Sequence, residues 1–547
     1  GASGITVFQQ QVNKYRVIDS YQINKFAGPE VFNALVAKLR KYDRVIIGLH
    51  QPSLSQSAQY GITKRSLNFI EALVAKTNVV VVSFASPYSM RYFKGSKAKV
   101  IMVAHADGGL EQQAAAQVLF GGIPCNGKLP VGSPAFKAGT GAFSTKSRLS
   151  YSAEYPADER SKLWFARVDT LILKAIEDKA MPGCQIVMAY KGDVVFSKSY
   201  GYHTYSPSHK VVDTDLYDLA SITKIAATIN STMLLTDSYQ LQIDAPLSNF
   251  LQYTHDTDKA NITLRDLLLH QSGLPPGLGF IDKTMIHGKR LSPKYYQRYL
   301  HDDFRTPVAS RLFIRTSYVD SMIQRIVQTP LLSPEYRYSD LGIMLMQQVI
   351  QQITHQRLDS FVTEKFFAPM GLDLCYMPWR QRKEYRCPPT ETDKYWRNQT
   401  IKGYVNDPTS ALMGGVSGHA GLFGNANDLA KLLYMWTNKG YYGGKKYISP
   451  ETLDLFTHCQ DCAANRRGYG FDKPLTDGTG GPCSALASES SFGHSGFTGG
   501  LVWADPEREL IYVFLTNRTF PKADNNLLVQ QNIRTRVQSY FYKAMGY

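Results

Sequence analysis

In Asn78-Val79-Val80-Val81-Val82-Ser83-Phe84-Ala85-Ser86, the run Val79 to Ala85 is rich in β-branched residues and bounded by polar ones. Its length suits a strand and falls far short of a bilayer span. Two similar runs flank it, Arg44-Val45-Ile46-Ile47-Gly48-Leu49 and Val100-Ile101-Met102-Val103-Ala104. Helical patterns lie between and around them at Pro29 to Lys41, Arg65 to Lys76 and Glu111 to Phe120. Continuous apolar runs separated by helices predict parallel strands buried on both faces, hence a three-layer α/β/α sandwich with a mainly parallel sheet.

The 547 residues exceed what one core usually organises, so two or more domains are expected. Apolar residues at 44% and charged residues at 19% exclude a disordered, collagen-like or disulfide-scaffold chain. The net charge of +16 is uneven, because the first 160 residues hold 19 basic and 9 acidic side chains. These are scattered singly, with no basic run or zinc-finger spacing, so the reading is a solvated basic surface and no nucleic acid partner. The chain opens Gly1-Ala2-Ser3 without Met, so the numbering is expected to begin inside a longer product or after a removed leader or tag. Of seven cysteines, Cys459 and Cys462 form a lone CxxC. Adjoining His458 does not complete a zinc spacing, so a local disulfide or free thiols is expected and no metal.

From Gly132 to Lys162 the sequence turns to small and polar residues, an interdomain connection, and we place the boundary at 150/151. Beyond it, Leu171 to Lys179 reads as a helix, and Gln185 to Tyr190 with Val194 to Tyr200 as a hairpin turning at Lys191-Gly192-Asp193. Near the other end Gly500 to Ala504 and Leu510 to Thr516 read as strands, followed by a helix from about Asn526 to Met545. Both ends thus contribute to one sheet while the centre builds a helical region, which leaves a cleft between them.

Three short motifs carry chemistry together. Ser221-Ile222-Thr223-Lys224 opens a helical run, Ile225 to Leu235, which puts Lys224 one turn beyond Ser221 on the same face. A serine hydroxyl needs a neighbouring base, and a lysine amine can serve when its pKa is lowered. Tyr338-Ser339-Asp340 precedes an apolar helix, Leu341 to Ile350, and a tyrosine near that lysine can act as general base or acid. His494-Ser495-Gly496 stands before the strand at 500–504, where a glycine edge lets substrate backbone approach closely.

From about Leu149 onward the sequence resembles the class C β-lactamase and penicillin-binding serine hydrolases, whose elements SxxK, YxN and KTG or HxG follow in this order. Also typical of that family are Leu241-Gln242-Ile243-Asp244-Ala245-Pro246-Leu247, the stretch Ile262 to Leu274, and Gly418-His419-Ala420-Gly421-Leu422-Phe423. The resemblance implies an antiparallel sheet flanked by helices with a helical subdomain over residues 151–547. It makes Ser221 the acylated nucleophile, Lys224 its proton acceptor, Tyr338 the completion of the relay, and His494 the occupant of a position usually held by lysine or histidine. Ser495, Gly496 and Phe497 line the substrate strand, and the N–H groups of Ser221 and Phe497 form the oxyanion hole. Asp340 departs from the usual asparagine. It is expected to pair with Lys224, keeping the lysine charged and passing the role of base to Tyr338. His270 and His419 are taken as structural.

Residues 1–150 resemble the α/β domain that follows the catalytic barrel of family-3 glycoside hydrolases, especially β-N-acetylglucosaminidases. Ser86-Pro87-Tyr88, the stretch Gln112 to Pro124 and Gly127-Lys128-Leu129-Pro130-Val131 carry that likeness. No barrel precedes them in this chain, so they are read as a structural module. A glucosaminidase tail joined to such a hydrolase implies an amidase or peptidase on peptidoglycan fragments, muropeptides, in the periplasm or otherwise outside the cytoplasm. It would act through an acyl-enzyme with no metal or cofactor, and β-lactams could serve as covalent ligands. A β-lactamase, a D-alanyl-D-alanine carboxypeptidase, an esterase and a non-catalytic wall-binding or β-lactam-sensing module remain open.

Overall fold

A computed structural model describes residues 4–151, 158–288, 290–462, 465–475, 477 and 481–547. Residues 152–157, within the stretch read as a connection, lie outside the described residues. The chain divides into two compact units, Gly1–Tyr151 and Ser152–Tyr547.

In the first unit three parallel strands, β1 (Arg44–Leu49), β2 (Asn78–Ser83) and β3 (Val100–Val103), lie in sequential order. Their register pairs Val45 with Val79 and Val80 with Val100. The alternation of a strand sorts the valines of β2 between two cores. Val79 and Val81 pack with Phe32, Leu39, Phe69 and Leu73 of the helices Pro29–Leu39 and Lys64–Val74. Val80 and Val82 pack with Phe8, Val12, Ala115 and Ala116 of the helices Val7–Tyr15 and Gly109–Phe120. Helices therefore cover both faces, the three layers expected. Each buried valine contributes about 1.5–3 kcal/mol relative to exposure.

In the second unit five strands form an antiparallel array in the order Phe492–Ser495, Leu501–Asp505, Leu510–Thr516, Gly183–Tyr190, Asp193–Gly201. The strand from the end of the chain pairs directly with the one near the start, Val513 opposite Val187. The helices Glu159–Glu177 and Ile533–Met545 bury Phe165, Ile172, Val537 and Phe541 against Ile186, Met188, Trp503 and Phe514. The helix Ala426–Thr437 packs against the strands Leu510–Thr516 and Gly183–Tyr190. Two boundaries differ from expectation. The first helix begins twelve residues before Leu171, because Asp158 caps it through the Ser161 N–H. The last is interrupted at Asn532, whose φ of 53° separates Leu527–Gln530 from Ile533–Met545. Cys459 and Cys462 are joined as a disulfide. Among the described residues no helix is long and apolar enough to cross a membrane.

Candidate active site

Ser221 stands at the mouth of a helix whose first turn is wider than α. Lys224–Ile229 is π-helical and Asn230–Asp237 continues as α-helix. Such wide turns are uncommon and concentrate where a side chain must be aimed. Here the aim is direct: Lys224 Nζ donates to Ser221 Oγ at 2.8 Å and to the His419 carbonyl at 3.2 Å, with its side chain fully buried. The residue before the nucleophile, Ala220, has φ +45°, a left-handed conformation that costs a non-glycine residue free energy. Buried Asp218 holds it there, accepting the Ala220 N–H at 2.9 Å on one oxygen and the Asn406 N–H at 2.6 Å on the other. Burial pushes the Asp218 carboxyl up to about 6.

The Tyr338-Ser339-Asp340 segment is strapped to the loop that follows Leu269. Ser339 Oγ donates to the Pro275 carbonyl at 2.6 Å, the Ser339 N–H donates to His270 Nδ1 at 3.2 Å, and the Asp340 N–H donates to the Pro276 carbonyl at 3.1 Å. This brings Asp340 Oδ1 to 2.7 Å from Lys224 Nζ and the Tyr338 ring to 5.0 Å from that nitrogen. Burial works to lower the Lys224 pKa, but Tyr338 and Asp340 together outweigh it and hold the pKa above its ordinary value. Asp340 also opens the helix Asp340–Thr354, where a carboxylate is favoured.

His494 lies on the edge strand, buried, with its ring 6.1 Å from that of Tyr338. Nδ1 donates to the Ser495 carbonyl at 2.7 Å. A carbonyl only accepts, so Nε2 presents a lone pair, and among the described residues that atom has no partner. Burial, followed by the nearby Arg467 and Lys224 charges, drives its pKa well below the usual histidine range. His494 is therefore a neutral acceptor, chemically unlike the lysine that can occupy its position. Gly496 must be glycine, since a Cβ there would stand 2.6 Å from the Leu219 carbonyl oxygen. Phe497 is 55% exposed. Among the described residues neither its N–H nor that of Ser221 donates to a backbone carbonyl or side chain.

The structure also recruits residues that no motif marked. Arg467 is buried, its guanidinium 5.2 Å from the Tyr338 ring, with Nε donating to Tyr336 Oη at 2.9 Å and Nη2 3.5 Å from Asp472 Oδ2. Its Nη1 is buried and has no partner among the described residues. His270, read as structural, packs at a tilt against Tyr338, ring centroids 4.5 Å apart, and its buried Nε2 has no partner among the described residues. The His419 imidazole is occupied by Asp407 at 2.9 Å and Ser417 at 2.8 Å, and what reaches the site is its carbonyl.

Comparison with known proteins gives the family. A family model described as Beta-lactamase matches residues 168–532. The chain belongs to the beta-lactamase family. This places it among serine hydrolases of the β-lactamase and penicillin-binding type. A second model, the glycosyl hydrolase family 3 C-terminal domain, matches residues 4–170. This beta-lactamase family member is 30% identical over 384 residues to a provisionally assigned D-alanyl-D-alanine carboxypeptidase of Escherichia coli, covering 63% of the present chain and 81% of the relative. It is 28% identical over 381 residues to an N-acetylmuramyl-L-alanine amidase of Bacillus subtilis, covering 64% and 80%. Among solved structures, EstCE1, a hydrolase with promiscuous acyltransferase activity, superposes with a TM-score of 0.53 at 18% identity over 70% of this chain and 99% of its own. That likeness concerns the fold alone.

Proposed function

We propose that the chain hydrolyses acyl-amide bonds in peptidoglycan fragments through an acyl-enzyme at Ser221, outside the cytoplasm. The observation that carries the reading is the contact of Lys224 Nζ with Ser221 Oγ at 2.8 Å while the same nitrogen pairs with Asp340. A lysine kept charged is a donor. It orients the serine oxygen and leaves the hydroxyl hydrogen free to pass to Tyr338, which serves as the base for attack in its phenolate form beside the Lys224 charge. The N–H groups of Ser221 and Phe497 stabilise the tetrahedral oxyanion, and Tyr338 returns its proton to the leaving amine. Water then attacks the ester, and Tyr338 takes its proton and passes it to the departing Ser221 oxygen, which restores the starting state. Arg467 Nη1 supplies a fixed positive charge beside Tyr338, suited to a carboxylate of the stem peptide. No step calls on a metal or cofactor.

The amide between the sugar's lactyl group and the stem peptide is the bond we favour. The name of the Bacillus subtilis relative and the glycosidase-type first unit support an aminosugar-bearing substrate. Purified disaccharide-peptides followed by mass spectrometry provide the test. Release of the intact stem peptide supports the amidase. Loss of a single D-alanine would make the chain a carboxypeptidase, and turnover of nitrocefin or small esters alone would make it a lactamase or esterase. If parent and Ser221→Ala are equally inert on all of these, the chain is a binding module.

A further inference from the structure

Just beyond the strand Asp193–Gly201, and before the Ser221 segment, the chain places His203, His209 and Asp215 at intervals of six positions. His203-x5-His209 falls within the spacing of zinc-binding histidine pairs, but only folding adds Asp215 to it. One potential ligand atom from each lies within 4.8 Å of the others. The His203 and His209 rings stand 4.0 Å apart, and His203 Nε2 is 2.7 Å from Asp215 Oδ2. His203 and Asp215 are buried, at 3% and 1% exposure, whereas His209 faces solvent.

The surroundings are built to hold this cluster. The His203 N–H donates to the His209 carbonyl at 2.8 Å, and Asn517 Nδ2 donates to the His203 carbonyl at 2.9 Å. The Val212 N–H donates to Asp215 Oδ2 at 2.8 Å, and Gln185 Nε2 donates to the Val212 and Asp215 carbonyls at 2.6 and 3.1 Å. Two features are left over. The other nitrogen of His203, Nδ1, is buried without a partner among the described residues. Asp215 is a buried carboxylate whose one ion-pair neighbour among the described residues is a histidine, and buried carboxylates are commonly paired with a cation or coordinated to a metal.

We propose that His203, His209 and Asp215 bind a single divalent transition-metal ion, zinc by preference. Two imidazoles and a carboxylate suit zinc and its neighbours, whereas calcium and magnesium demand oxygen donors throughout. Ligands at 2.0–2.1 Å in a tetrahedron are about 3.3 Å apart, so the His203–Asp215 pair at 2.7 Å must open to admit the ion while exposed His209 adjusts by changing rotamer. Its open side leaves the fourth position to water. The ion takes no part in the acyl-enzyme chemistry. It pins the segment that runs three residues on to Asp218 and from there to Ala220 and Ser221, so it acts on stability and on the pose of the nucleophile.

The test uses the full chain freed of metal with chelator and then titrated with zinc against a chromophoric competitor, or with cobalt(II) followed by its visible absorption. One equivalent is expected to bind, with intense tetrahedral-type cobalt bands and a melting temperature raised by several degrees on adding zinc. His209→Ala, at an exposed position, should keep the circular dichroism and metal-free melting temperature of the parent while losing affinity about 100-fold or more and losing the zinc-induced rise. His203→Gln, which retains a polar side chain, should do the same. Failure of the parent to bind one equivalent overturns the proposal, as does binding that survives intact in His209→Ala. Because these readouts are physical, the outcome is independent of which amide or ester the site cleaves.

Discussion

Lys224 and Asp340 form an ion pair, Nζ to Oδ1 at 2.7 Å, inside the cleft that holds the nucleophile. The lysine's pKa is raised in the folded chain. Stability from this pair is therefore fully present below the ordinary lysine pKa and is lost only as pH rises through the higher folded value. Lys224 is charged across the physiological range. Replacing Asp340 by alanine leaves a buried unpaired cation, an expected loss of about 3–5 kcal/mol, read as a lower denaturation midpoint. Asp340→Asn should cost less and move the alkaline limb of kcat/KM to lower pH, since burial would then be less opposed. An unmoved alkaline limb would mean that Lys224 does not govern it.

A charged Lys224 transfers the role of base to Tyr338. Tyr338→Phe should lower kcat about 10²–10⁴-fold with little change in melting temperature, because the ring contacts with His270 and Lys224 survive. Ser221→Ala should abolish the single adduct that a fluorescent penicillin leaves in intact-mass spectra. Retention of the adduct would place the nucleophile elsewhere.

His494 and His270 both have pKa values far below the usual histidine range, burial being the main cause. A depressed histidine stabilises the fold above the ordinary value near 6.5, and that stability falls away as pH drops from there toward the folded value. The slope is about 1.4 kcal/mol per pH unit for each group. Thermal melts between pH 7 and pH 4.5 should show a steeper fall for the parent than for His494→Gln. Identical slopes would mean that His494 titrates normally.

Arg467 has one buried nitrogen with no partner among the described residues. Arg467→Gln should raise KM for carboxylate-bearing peptides about 10–100-fold while leaving neutral ester substrates nearly unchanged. An equal loss on both would assign Arg467 to holding Tyr336 and Tyr338 in place.

Gly496→Ala pushes a methyl against the Leu219 carbonyl, two residues from Ser221. Activity should fall at least about 100-fold with a smaller drop in stability, since displacement of about an ångström is enough to spoil reacting geometry. Normal kinetics in this variant would show that the edge can shift without harm.

Much of the architecture was legible because it depends on local periodicity. The four valines of Val79–Val82 declare a strand buried on both faces, and the runs at 44–49 and 100–104 with their helices complete the sandwich. In the second unit the paired strands at both ends of the chain follow from the same rule. Ser221, Lys224, Tyr338, Asp340 and His494 could be named because three motifs in this order resemble the β-lactamase and penicillin-binding serine hydrolases, and that resemblance, with the charges of the two residues, led to the expected Lys224–Asp340 pair.

Contacts between distant segments could not be read this way, because side chains more than 100 residues apart meet only through packing. Arg467 gave no signal in sequence, being one arginine among many until the fold buries it beside Tyr338. The protonation of His494 rests on burial and on a carbonyl one residue away, neither of which a motif specifies. The His203, His209 and Asp215 cluster likewise exists only where a loop turns back on itself. Residue types and their periodicity determine which strands and helices form and which chemistry is at hand. The tertiary structure decides which charges are desolvated and what each one faces, and so which groups are charged, neutral or unpartnered in the site.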